Sequence, residues 1–176
     1  ITLSPDGSRF AVAVHGTGGR GGDIWVYDLG RQLLTRFTFE GNVIAPAWSS
    51  DSQWIYYSAL DPSTHKATLH RKPVTGDREA ERLGSPDILF SIEQISKDGR
   101  SAFVHLRRDA TIVDVDRMDL ATGRSEPFLS TPFYEAGAQA SPDGRLVAYQ
   151  SDETGRPEIY VKTSNGSGRF QVSQGG

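Results

Sequence analysis

A serine followed two residues on by aspartate, with glycine or serine next, stands at four places in this chain: Ser4-Pro5-Asp6-Gly7, Ser49-Ser50-Asp51-Ser52, Ser96-Lys97-Asp98-Gly99 and Ser141-Pro142-Asp143-Gly144. A hydroxyl beside a carboxylate can serve nucleophilic or acid–base chemistry if a histidine is at hand to move the proton. The four histidines are scattered instead. His15 and His105 fall at the ends of apolar runs, and His65 and His70 flank the start of another, so all four read as surface or strand-end residues. No G-x-S-x-G elbow is present, nor the H-R-D and D-F-G signatures of a kinase. The run GTGGRGG at 16–22 lacks the Lys-Ser/Thr of a phosphate loop and leads into a strand rather than a helix. Asp114, Asp116 and Asp119 of DVDRMD do not have the density of an EF-hand loop, and they read as a solvent-facing strand. Without cysteine there is no disulfide, no thiolate metal site and no thiol nucleophile.

The pairs are too evenly spaced for independent sites. Their serines lie 45, 47 and 45 residues apart, a period that points to a repeat architecture. After each comes a short β-prone run: RFAVAV (9–14), QWIYYSA (53–59), RSAFVHL (100–106) and RLVAYQS (145–151). A second strand follows, as DIWVYDL (23–29), TLHRKPV (68–74), DVDRMDL (114–120) and EIYVKTS (158–164). A short third one closes each unit, as LLTRFTF (33–39), AERLG (80–84), SEPFLS (125–130) and RFQVS (169–173). Another precedes the turn, as NVIAPAWSS (42–50), ILFSIEQIS (88–96) and AGAQAS (136–141).

Each unit therefore reads as four antiparallel strands, a to d, with the Ser-x-Asp motif as the a–b hairpin turn. Proline presets φ at the second turn position, aspartate bonds its own backbone, and glycine accepts φ > 0. Ser52 stands where the other copies have glycine, which predicts a costly left-handed backbone or a locally different turn. Strand b is apolar at consecutive positions (11–14, 54–57 and 146–149), so both of its faces are expected to be buried. Sheets stacked around an axis provide this, whereas a two-layer sandwich would show cleaner alternation. The expected fold is all-β, a propeller segment of four four-stranded blades at about 1–40, 41–84, 85–130 and 131–176.

The 176-residue chain carries a net charge of −3 and has no basic stripe, which argues against nucleic acid. No stretch approaches the roughly 18 apolar residues of a membrane span, so this segment is not expected to insert in a membrane.

The pattern S-P-D-G-[KR] leading into A-[FY]-x-S and then I-Y-V resembles the TolB-type, WD-repeat-like β-propeller repeat. The resemblance covers the whole chain. It is strongest in ASPDGRLVAYQSDETGRPEIYV and clear in LSPDGSRFAVAV with DIWVYDL. The closing segment looks like propellers found C-terminal to bacterial serine/threonine kinases, and similar repeats precede prolyl-oligopeptidase-type hydrolase domains. The resemblance implies a larger ring of six or more blades and a periplasmic or extracytoplasmic setting. It also implies a non-catalytic interaction or sensor module for a protein, peptide or small ligand. The alternative it leaves open is the substrate-gating propeller of a hydrolase whose catalytic domain lies elsewhere. No cofactor is expected. Some propellers hold a cation in the channel, so calcium stays open. Exposed blade faces and strand edges would allow copies to pair.

Strand direction places the motif turns on one rim and the longer d–a and b–c loops on the other. Recognition is expected on variable loops held by a rigid scaffold. The candidates are His15, Arg20, Glu40, Asn42, Asp61, His65, Arg107, Asp109, Tyr134 and Glu135.

Overall fold

The structure, a computed structural model, describes residues 1–15, 22–61, 63–64, 66–84, 89–107 and 113–175, with backbone alone at 89, 90 and 107. Among them lie sixteen strands in four antiparallel sets of four. The first blade is β1 (Thr2–Leu3), β2 (Arg9–His15), β3 (Gly22–Asp28) and β4 (Leu33–Arg36). The second is β5 (Val43–Trp48), β6 (Trp54–Leu60), β7 (Ala67–Pro73) and β8 (Glu81–Arg82). The third is β9 (Leu89–Ile95), β10 (Ser101–Arg107), β11 (Val113–Asp119) and β12 (Ser125–Leu129). The fourth is β13 (Glu135–Ala140), β14 (Leu146–Ser151), β15 (Glu158–Thr163) and β16 (Arg169–Gln171). Gly22 bridges to Val43 and joins the first two blades into one continuous sheet. No helix among the described residues is long and apolar enough to cross a membrane.

The Ser-x-Asp motif is consumed by its own turn. In all four copies the serine hydroxyl donates to the aspartate Oδ1 at 2.5–2.6 Å. The same serine oxygen accepts the amide five residues on, at 2.9–3.0 Å. The aspartate in turn accepts the amide two residues on, at 2.9–3.0 Å. The serine proton, a serine lone pair and the aspartate Oδ1 are thus spent on closing the hairpin. Gly7, Gly99 and Gly144 sit at φ +69 to +72°, and Ser52 adopts the same left-handed conformation at +59°. Ser52 keeps a compensation, because its buried Oγ accepts the amide of Asp6 at 3.1 Å and ties the first two motif turns together.

A second device closes the opposite rim. In the first blade Thr38 Oγ1 accepts the Ile24 amide at 2.9 Å and donates to Asp23 Oδ1 at 3.0 Å, while Asp23 also accepts the Gly41 amide at 3.1 Å. The fourth blade repeats it. Ser173 Oγ accepts the Ile159 amide at 2.8 Å and donates to Glu158, which accepts the Gly175 amide at 2.8 Å. A buried carboxylate at the start of strand c thereby pins the chain as it leaves strand d.

Apolar side chains fill the spaces between blades. The first junction packs Ala11, Ile24 and Phe37 against Val43, Trp48, Ile55 and Tyr57. The second packs Tyr56 and Leu69 against Ile92, Val104, Leu106 and Met118. The third packs Phe103, Val115 and Leu129 against Val147, Tyr149 and Tyr160. Each fully buried side chain of this size contributes about 1.5–3 kcal/mol, so these junctions outweigh the solvated turns in holding the blades together. Strand a carries a bulge in the second, third and fourth blades, between Ile44/Ala47, at Glu93 and between Ala136/Gln139. Ala45 and Gly137 occupy the same bulge position with φ of +52° and +68°. Bulges at one level blunt the strand edges nearest the axis.

Two expectations from the sequence need correction. Asp114 and Asp116 do not face solvent: both are buried at the head of β11, on the strand face that also carries Met118. His105 is not a surface residue either, since it lies buried inside β10. Asn165-Gly166-Ser167 forms the c–d turn of the fourth blade, with Asn165 Oδ1 accepting from the Ser167 amide and hydroxyl at 3.1 and 2.8 Å.

The turns yield two predictions. Relief of the left-handed backbone and loss of the Asp6 contact oppose each other in Ser52→Gly, whereas Ser52→Ala loses the contact without relief. Ser52→Gly is therefore expected to be more stable than Ser52→Ala by about 1 kcal/mol in urea denaturation, and equal stabilities would refute the strain. Hydrogen bonds from the motif serines and backbone hold Asp6, Asp51, Asp98 and Asp143 below the ordinary 3.8, Asp6 at about 2. Carboxylates depressed in the folded state stabilise it above the unfolded value and lose that contribution as pH falls through the folded one. Thermal scans should show stability falling between about pH 4 and about pH 2, with a shallower fall in an Asp98→Asn/Asp143→Asn variant.

Candidate functional site

The inner strands of all four blades wall a cleft of about 750 Å³. Thr2 and Leu3 come from β1, residues 45–48 from β5, 92–95 from β9 and 139–140 from β13, and the motif turns form its floor through Pro5, Ser50, Ser96, Lys97 and Ser141. The repeat builds this lining: strand a is first in every blade and lies nearest the axis. Small side chains at Ala45, Ala47 and Ala140 keep the cleft open. Trp48 supplies an aromatic wall, with its Nε1 donating to Thr2 O at 3.2 Å. Gln94 bridges the third and fourth blades by accepting the Ala140 amide at 2.5 Å. The charged residues of the lining are Glu93, Lys97 and Arg117.

Glu93 leads back to the question of catalysis, because it contacts His105 and Ser91. His105 Nδ1 lies 3.1 Å from Glu93 Oε1 and 3.2 Å from Ser91 Oγ, and Ser91 Oγ is 3.4 Å from the same carboxylate oxygen. A serine–histidine–carboxylate relay needs the serine and the acid on opposite ring nitrogens. Here both contact Nδ1, while Nε2 is buried with no hydrogen-bond partner among the described residues. The cluster cannot pass a proton from serine to acid through the ring. Burial holds the imidazole neutral by lowering its pKa to about 4. Burial also raises the Glu93 carboxyl, opposed by hydrogen bonds from Ser91 and the Gly137 amide. Among the described residues no group of three His, Asp or Glu side chains is placed to hold a metal ion.

The loop candidates lie on the other rim, as strand direction requires, and none of those described lines the cleft. His15 ends β2 and Glu40 lies between β4 and β5; both are exposed. Glu40 Oε1 stands 3.4 Å from the hydroxyl of Tyr57, whose pKa is raised by burial and by this carboxylate. Tyr57 stacks on His70 at 5.6 Å, and the imidazole's pKa is lowered by burial and by Arg82. Asn42 donates from Nδ2 to Leu60 O at 2.5 Å and so braces the rim. Asp61 accepts from Ser63 and Thr64 in a tight turn at 2.6–3.1 Å. Tyr134 is exposed. Arg20, His65 and Asp109 lie outside the described residues, as does the side chain of Arg107.

Glu135 is the candidate the structure overturns as an accessible loop residue. It is the first residue of β13, buried, with Oε1 accepting from Thr131 Oγ1 at 2.6 Å. Burial first, and then the nearby Asp114, raise its pKa. The sequence reading assigned no role to the cleft residues Glu93, Gln94 and Gln139. Polar residues inside strand a were the available signal.

Four-stranded antiparallel sheets stacked through apolar faces around a common inner cleft define a β-propeller arc. A family profile described as the TolB beta propeller domain matches residues 2–176, and the chain belongs to that family. Among solved structures, TolB from Acinetobacter baumannii is similar with a TM-score of 0.77 at 20% identity, over 98% of this chain and 43% of that one. A putative TolB from Agrobacterium tumefaciens gives 0.78 at 16% identity, over 96% and 62%. A prolyl endopeptidase gives 0.63 at 18% identity, over 98% of this chain and 28% of that one. The chain thus spans part of the length of the propeller proteins it resembles.

A direct check of the buried cluster is the His105 ring in a two-dimensional 15N spectrum. The ring is expected to stay neutral until about pH 4. A midpoint near the ordinary 6.5 would contradict its burial.

Proposed function

We propose that this chain is a non-catalytic interaction module that takes a peptide or protein segment into the cleft between its inner strands. The observation that carries this reading is the cleft itself, shaped by strand a of all four blades. Its volume of about 750 Å³ falls in the range of ordinary ligand sites. Its lining mixes small apolar side chains, one tryptophan, amides and hydroxyls, which suits a segment with both backbone and apolar groups to bury. Membership of the TolB family supports the same reading and a setting in the periplasm or elsewhere outside the cytoplasm.

Peptides selected from a displayed library on the immobilised chain test the assignment. Lys97→Glu/Gln139→Arg changes exposed cleft residues, and Glu40→Lys/Tyr134→Ala changes exposed residues of the loop rim. Binding of the selected peptides is expected to drop at least about tenfold in the first variant, a loss of about 1.4 kcal/mol, and to persist in the second. The reverse pattern would move the site to the loops.

The alternative, a gating propeller ahead of a prolyl-oligopeptidase-type catalytic domain, draws on the likeness to a prolyl endopeptidase. An α/β-hydrolase domain with a nucleophile elbow in the same reading frame would favour it. A kinase domain upstream would favour a sensor.

A further inference from the structure

Among the described strand a residues that line the cleft, Glu93 alone is charged. It stands in the bulge of β9, passed over between the Phe103–Gln94 and Val104–Ile92 pairs. Bulges are places where a strand re-aims a side chain. Counting back three residues from each motif serine, the other blades have Ile1, Pro46 and Ala138 at this position, all apolar. The blade architecture therefore does not require a charge there. The third blade is also covered on both sides, by the second and the fourth.

What Glu93 lacks is a counter-charge. Asp23 has Arg36, Glu158 has Arg156 and Glu153 has Arg169. Glu93 has His105 at 3.1 Å, and that imidazole stays neutral down to about pH 4. Ser91 Oγ at 3.4 Å and the Gly137 amide add hydrogen bonds, again without charge. These donors come from β9, β10 and β13, so two blades hold the carboxylate in place before any ligand arrives. His105 and Ser91 both contact Oε1, and no side chain among the described residues donates to Oε2. Lys97 and Arg117 line the same cleft but form no ion pair with Glu93. Both cations are exposed and solvated by water, whereas the Glu93 side chain is only 17% exposed. A carboxylate taken largely out of water without a counter-charge is stabilised by a cation that reaches it.

We propose that Glu93 is the anchor for a basic side chain, lysine or arginine, of the segment that enters the cleft. The inference rests on the cleft being the binding site, and it adds what the segment must carry. A metal ion is the poorer occupant, because no group of three carboxylate or imidazole ligands forms among the described residues. An ammonium or guanidinium needs only the one ionised acceptor to make a charge-assisted hydrogen bond.

The probes are library-selected peptides whose binding weakens with Lys97→Glu/Gln139→Arg, synthesised with acetylated N-termini so that side chains are their only cations. They are expected to share a lysine or arginine. Replacing it with norleucine should weaken binding to the unaltered chain at least about tenfold, and Glu93→Gln should do the same to the original peptide. Glutamine keeps an acceptor for His105 and Gly137, so the fold is expected to persist by circular dichroism. The two changes together should weaken binding little more than either alone, and added salt should weaken the original pair more than the doubly altered one. A water-soluble carbodiimide, which condenses an amine with an adjacent carboxylate, should join a peptide lysine to Glu93 in the unaltered chain, a readout that needs no variant. Cleft peptides without a basic residue, additive losses in the two changes, or a cross-link that avoids Glu93 would overturn the anchor and leave the cleft reading standing. Peptides indifferent to Lys97→Glu/Gln139→Arg would overturn the cleft reading and the anchor with it.

Discussion

A four-stranded sheet with apolar side chains on both faces cannot stand alone in water, and each blade here is such a sheet. Burial of strand b on both sides is the constraint from which the other features follow. Val104 and Tyr57 lie fully buried in the middle of their blades, and the neighbours that cover them are whole sheets rather than loops. Stacking then repeats at each blade, and the strand nearest the axis is the same one each time. The cleft results from that stacking.

The same constraint decides what the polar residues do. A serine and an aspartate two residues apart suggest reactivity only while they are viewed singly. In the structure each pair closes a hairpin through three hydrogen bonds, four times over. Asp23 and Glu158 are spent at the opposite rim, holding the chain as it leaves strand d. Among the described residues, the cluster that brings Ser91, His105 and Glu93 together has two partners on one ring nitrogen, which suits packing and not proton relay. Recognition is left to the surface that the stacking leaves concave.

The sequence made most of the fold legible because the turn chemistry is strict and recurs. The motif fixed each a–b corner, and observed strand ends differ from the expected ones mainly by a residue or two, as in β7 at 67–73 against 68–74. The strained backbone at Ser52 followed from the single departure from glycine. The site was less legible. Glu135 was counted as loop, but β13 starts one residue earlier than its apolar pattern suggests, and that residue slides under a neighbour. Asp114, Asp116 and His105 occupy positions where alternation within one strand gives no sign that another blade covers them. The bulges of strand a shift which side chains face the axis, and only Pro46 and Gly137 mark them in the local sequence. Burial between repeats is a property of pairs of blades and cannot be read from one.

Amide hydrogen exchange on the 176-residue chain tests the stacking most directly. In a repeat array, stability is shared between neighbours, so a blade covered on both sides should open less often than one covered on one side. Strands β6, β7 and β10 are expected to exchange slowest, and β1, β2, β15 and β16 to exchange through more frequent local opening. Equal protection across all four blades would contradict an arc held together by its blade junctions.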